Sequence, residues 1–124
     1  MDDSTAIEGV WQITQAELAG EEMPALLARK TEVELVAGAY TVSFSGEIAD
    51  RGTYTLAVAG GHKAITLTGT EGTNAGRTIP AIYQLTGNRL RICYGLDGAA
   101  PGAFATKAGA AHFLATYRRL AAPA

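Results

Sequence analysis

Two short signals at opposite ends of the chain constrain its fold most: Gly9-Val10-Trp11 in the first strand-like segment and Arg118-Arg119 in the last. In small antiparallel barrels a Gly-x-Trp on the first strand and an arginine on the last meet where the barrel closes. The guanidinium then lies over the indole face as a cation–π pair. Trp11 and Arg119 are the expected closure, with Arg118 the next candidate.

The segments between these ends alternate apolar and polar residues with period two, in runs bounded by Gly, Asn, Asp or Pro. The runs amount to roughly eight strands, the pattern of an all-β, antiparallel up-and-down barrel. One stretch reads as helix. Pro24 suits a first helical turn, Glu21 and Glu22 lie near its positive end, and Arg29 and Lys30 lie near its negative end. The clearest hairpin runs from Ile79 to Tyr94 around Gly87-Asn88. Counting outward sets Leu85 against Leu90, Tyr83 against Ile92 and Ala81 against Tyr94 on the apolar face, with Gln84 against Arg91 on the wet one. The same alternation turns Trp11, Ile13, Val33, Leu35, Tyr40, Val42, Phe44, Tyr54, Leu56, Val58, Ile65, Leu67, Phe113 and Tyr117 inward. Gly52, Ala81 and Ala115 fall among them and leave room between the rings. All five tyrosines point inward in this reading, and buried phenols need one another, backbone, water or a ligand as hydrogen-bond partners.

With 124 residues the chain is long enough for one domain, 1–124 with its core over about 8–120, that folds around a single core without staples. One cysteine and two histidines exclude an internal disulfide and give no zinc-ligand spacing. A net charge of −2 with interspersed signs argues against a nucleic-acid surface, and no apolar run reaches the length of a membrane span. The acidic start Met1-Asp2-Asp3-Ser4 lacks the pattern of a signal peptide. The chain as it stands is therefore expected to be cytoplasmic, or secreted or part of a larger protein if it derives from a longer precursor.

Residues able to carry chemistry are sparse. Cys93 falls opposite Ile82 on the face away from Ile92, where a packed thiol is inert. His62 follows a Gly-Gly turn and His112 begins the last strand, both as solvated edge residues. None of Glu8, Glu17, Glu32, Glu34, Glu47, Asp50, Glu71 and Asp97 is expected to point inward, so the interior lacks an acid/base pair. The long loop Ala99 to Ala111 carries one large apolar side chain, Phe104, as a lid over the barrel mouth or as a plug in the core.

Gly9-Val10-Trp11, Tyr54-Thr55-Leu56, Lys63-Ala64-Ile65, Glu71-Gly72 with Gly76-Arg77-Thr78, Ile82-Tyr83-Gln84-Leu85, Leu90-Arg91-Ile92-Cys93-Tyr94, Pro101 to Phe104 and Arg119 together resemble a bacterial lipocalin-like domain family of uncharacterised function, frequent in planctomycetes. The resemblance runs from about Gly9 to Arg119. It implies a calycin-like meander barrel that holds a small apolar ligand, in a family whose members often occur as repeated or fused domains. One departure is Ala100, where the family pattern usually has arginine before the proline.

The expected function is non-enzymatic binding of a small, largely apolar or aromatic molecule inside the barrel, lined by Tyr40, Phe44, Tyr54, Leu56, Tyr83, Ile92, Tyr94, Phe104, Phe113 and Tyr117. No cofactor or metal is expected. The alternatives are a structural or protein-interaction module with a filled core and a small barrel enzyme that guides a cyclisation or isomerisation.

Overall fold

Nearly every alternating run becomes a strand in the computed structural model, which describes residues 3–59, 62–106, 109 and 111–121. A single helical turn, α1 (Asp3–Ala6), precedes β1 (Gly9–Leu18). A two-residue strand β2 (Glu21–Glu22) and a second turn α2 (Ala25–Ala28) follow, then β3 (Thr31–Val36), β4 (Ala39–Phe44) and β5 (Glu47–Ala59). The chain continues through β6 (His62–Gly72), β7 (Thr78–Thr86), β8 (Arg89–Gly95) and β9 (His112–Ala121). The expected helix after the first strand is α2; α1 is additional. Neighbours in sequence pair antiparallel from β3 to β9, and β1 pairs with both β3 and β9, so eight strands close into an up-and-down barrel. No helix among the described residues is long and apolar enough to cross a membrane.

The β7–β8 hairpin has the expected register, from Thr86 opposite Arg89 to Ala81 opposite Tyr94. Gly87 alone of the turn pair takes positive φ, +58°, as a type II′ turn requires. Two-residue turns also join β3 to β4 and β4 to β5, at Ala37-Gly38 and Ser45-Gly46, with both residues at positive φ. These are primed turns whose twist matches that of the strands.

The barrel is sealed at the end where β1 begins. Trp11 and Arg119 are Cα partners, and the Arg119 guanidinium carbon lies 4.3 Å from the centre of the indole. The same guanidinium donates to the carbonyls of Glu8 and Ala6 and, through Nε, to Asn88 Oδ1 at 3.0 Å. The Trp11 indole N–H donates to the Ile7 carbonyl at 2.9 Å. Gly9 makes this possible: at φ +145° it adopts a backbone that L side chains resist, and a Cβ there would stand 2.7 Å from Arg119 Nη1. Arg118, one residue earlier, is exposed and reaches Gln12 instead. At this end α1 is pinned by Asp3, which accepts from Lys63 Nζ at 2.8 Å and from the Tyr83 hydroxyl at 2.9 Å. The Lys63 contact holds the Asp3 carboxyl below its ordinary range.

The opposite end is built differently. β1 pairs with β3 only through residues 9–12; beyond that, the same edge of β1 meets β2 and the Met23 N–H, which donates to the Ala16 carbonyl. The segment with α2 thus fills a gap between β1 and β3, with Ala28 buried in the core and Leu26 exposed. A bulge at Thr14-Gln15 reverses the phase of β1, so Ala16 rather than Gln15 joins the core after Trp11 and Ile13.

Two residues expected to point inward do not reach the core. Phe44 is 43% exposed because it ends β4 at the rim, where no wall opposes it. Val58 is 78% exposed because β5 and β6 run on past the last β4 partner, Ala39 opposite Thr53, and their tip overhangs the barrel.

Closure is testable by a double-mutant cycle in urea. Trp11→Ala should cost about 3–5 kcal/mol, and Arg119→Ala about 1–3 kcal/mol because two carbonyls lose a charged donor. The double mutant should lose about 1 kcal/mol less than the sum, the size expected of a cation–π contact. Strict additivity would show that the two side chains do not act together.

Candidate functional site

The core is filled beneath the sealed end and opens towards the other. In the filled half, Tyr83, Ile92, Ala81 and Ala115 pack beside Leu90 and Ile65. The open half contains a cavity of about 240 Å³. Its walls are Ile13, Val33, Val42, Leu67 and Ile79 together with the rings of Tyr40, Tyr94, Phe113 and Tyr117. Met23, Leu96, Thr31, Ala49, Thr73 and Asn74 complete it, with one carboxylate, Asp50.

Asp50 was expected to point outward, yet it is buried, 6% exposed. Alternation explains the correction: Tyr54 and Gly52 face inward, and two residues further back the same face carries Asp50. Two bulges flank the position, one between Val42 and Ser43 in the β4–β5 pairing and one between Arg51 and Gly52 in the β5–β6 pairing. The first puts its extra residue, Ala49, in β5 and bends that strand beside the carboxylate, and the second puts Thr70 in β6.

Three donors meet this carboxylate. Tyr40 donates its hydroxyl to Oδ2 at 3.2 Å, and Asn74 donates Nδ2 to Oδ2 at 2.8 Å and its backbone N–H to Oδ1 at 3.3 Å. Asn74 is brought there by the β6–β7 loop, which folds back on β6 so closely that a Cβ at Gly69 would stand 2.0 Å from the Asn74 carbonyl oxygen. Arg77 donates to Asn74 Oδ1 at 3.2 Å and to the Leu96 carbonyl at 2.8 Å, which turns the Asn74 amide nitrogen towards Asp50. The Tyr40 ring lies over Gly52, so the room expected there is already taken.

The site residues expected from the sequence divide accordingly. Tyr40, Tyr94, Phe113 and Tyr117 line the cavity. Tyr83 and Ile92 belong to the filled half, Tyr54 and Leu56 line a groove at the sealed end with Glu8 and Gly38, and Phe44 stands at the rim. Phe104 is neither lid nor plug. It packs on the outer wall with the Arg91 guanidinium 4.5 Å from its ring centre, beside Leu114 and Thr116. Its loop is held there by Thr106, which donates to Glu17 Oε1 at 2.8 Å and accepts from the Gly20 N–H at 2.9 Å.

Four of the inward tyrosine hydroxyls have side-chain partners. Tyr40 meets Asp50, Tyr83 meets Asp3, and Tyr94 and Tyr117 share a hydrogen bond of 2.6 Å. Among the described residues no buried side-chain polar atom lacks a hydrogen-bond partner. The phenols therefore do not require a ligand. Burial raises the pKa of Tyr54, Tyr94 and Tyr117, and burial with the Asp50 charge raises Tyr40 to about 12. Unfolded phenols ionise near pH 10, before these do, so this contribution to stability is complete below about pH 10 and is lost as pH rises towards about 12. The urea midpoint should fall steeply over that window, with phenolate absorbance growing alongside unfolding. Ionisation of all five tyrosines near pH 10 in protein that remains folded would contradict the burial.

Cys93 lies opposite Ile82, fully buried on the outer face under the Phe104 loop, its thiol 3.8 Å from the Ala105 carbonyl. Burial pushes the thiol up in pKa, against the opposing effects of that contact and of Arg91. A thiol reagent should label it slowly in native protein and rapidly in denaturant, with fast native labelling the result that would make it a nucleophile. His112 is half-buried at the start of β9, and the His62 side chain lies outside the described residues. No cluster of three metal-ligating side chains occurs among the described residues.

No family model, curated protein or solved structure matches the chain.

Proposed function

We propose that this protein is a lipocalin-like binding domain that holds a small, mostly apolar molecule in the open half of its barrel and does no chemistry on it. The observation that carries the reading is the cavity, apolar in its walls with a few converging polar groups, which is the usual composition of a small-molecule site. Its size bounds the occupant. A volume of 240 Å³ lies between the ~150 Å³ of an engineered apolar cavity that binds benzene and the roughly 300 Å³ at which drug-sized sites begin. A molecule with one ring and a short polar arm fits that interval.

Asp50 is the sole carboxylate among the described lining residues, and none of those residues is His, Lys or Arg. Burial keeps the lining tyrosines protonated. Acid/base catalysis needs a donor and an acceptor tuned near working pH, which weighs against the isomerase reading. The open volume weighs against a module with a filled core.

Titration with 2-phenylethanol or indole at millimolar concentration tests the proposal. Backbone amide signals of Val33, Asp50, Asn74 and Phe113 should shift, while those of Leu56 and Lys63 at the sealed end stay in place. Val42→Phe puts a ring into the cavity from a half-buried wall position. It should weaken binding at least about tenfold and leave the thermal midpoint within a few degrees, since it fills space rather than overpacking a dense core. If neither compound perturbs these signals, the binding reading falls.

A further inference from the structure

We infer that the molecule held in this barrel is an organic cation: an apolar body seated among the aromatic rings, with an ammonium group directed at Asp50. The inference rests on the ligand-binding reading and adds the charge of the ligand. Asp50 is buried at the cavity wall, and each of its three contacts is a neutral donor, from Tyr40 and Asn74. A carboxylate has about four acceptor positions, so one remains for an arriving donor. The ion pairs found among the described residues, Arg51 with Glu71 and Lys63 with Asp3, leave Asp50 out. Arg77, the cation on the adjacent loop, directs its guanidinium at the Asn74 side-chain oxygen and the Leu96 carbonyl.

A buried carboxylate with neutral partners leaves a net negative charge in an apolar cavity, a situation that an opposite charge relieves and a like charge worsens. The rings point the same way. Tyr40, Tyr94, Phe113 and Tyr117 border the cavity, with Tyr94 and Phe113 stacked at 5.8 Å, and the negative faces of such rings attract ammonium groups. A carboxylate or phosphate ligand would meet Asp50 with no Lys, Arg or His among the described lining residues to offset the repulsion.

Three probes of one shape and different charge separate the possibilities: 2-phenylethylamine, 2-phenylethanol and phenylacetate, each titrated calorimetrically into the wild-type protein at neutral pH. The amine should bind at least about tenfold tighter than the alcohol, which is 1.4 kcal/mol, and phenylacetate should bind more weakly than either. In Asp50→Asn the ratio of amine to alcohol affinity should collapse to within about threefold. Should that variant fail to fold, the wild-type ranking alone decides. Alcohol or acid binding as tightly as the amine overturns the cation inference and leaves the binding reading standing, whereas failure of all three to bind removes both.

Discussion

The architecture depends on one side chain passing beneath one backbone. Arg119 can reach the face of Trp11 and the carbonyls of Ala6 and Glu8 only because Gly9 presents no Cβ in its path. Those contacts join the first strand, the last strand, the chain entering from α1 and, through Asn88, the β7–β8 turn. A sheet of this length with free edges would expose unpaired N–H and C=O groups on both sides, and closure removes them. Sealing one end in this way also decides where space can remain. The large side chains Trp11, Leu35, Ile65, Leu90 and Ile92 occupy the middle and sealed end, so open volume lies at the end where β1 departs from β3.

That second end is made of departures from regular pairing. The gap in the β1–β3 ladder is filled by β2 and α2, bulges in β5 and β6 flank Asp50, and the β6–β7 loop folds tightly over Gly69. Each departure costs ladder hydrogen bonds or backbone freedom, and together they hold one carboxylate, one amide and one phenol at an apolar cavity. Bulges beside a site serve to redirect side chains. The regular hairpins support the barrel; the irregular ones shape its contents.

Much of the barrel was legible because the information is local. The β7–β8 register followed residue by residue from Gly87-Asn88, and the closure followed from Gly9-Val10-Trp11 and Arg119, since both depend on short-range geometry and on side chains with strong preferences. Asp50 was missed although the signal was present: the alternation that turned Tyr54 and Gly52 inward continues to it, yet it was grouped with the carboxylates that do not point inward. Phe44 and Val58 failed for the converse reason. Alternation gives a face, but burial also needs an opposing wall, and strand ends lack one. The resting place of Phe104 was not legible. A loop of small residues carries no periodicity, and its attachment depends on Thr106, Glu17 and Arg91, which meet only after folding.

The buried hydroxyls and the buried carboxylate bear differently on function. Five inward tyrosines suggest unmet polar demand, yet hydroxyls are adaptable groups that both donate and accept, and here those of Tyr40, Tyr83, Tyr94 and Tyr117 are satisfied within the protein. A carboxylate only accepts. Donation from Tyr40 and Asn74 satisfies its geometry but leaves its charge, because neutral donors redistribute charge without cancelling it. An Asn or Gln there would remove the charge but offer one amide oxygen where Asp50 accepts at both Oδ1 and Oδ2, so it could not keep all three contacts. A charge left in this way is offset when something opposite in charge arrives, and the rings around it are suited to the same arrival. For the proposed binding function, the charge of the cavity therefore bears more on the choice of occupant than its polar contacts do.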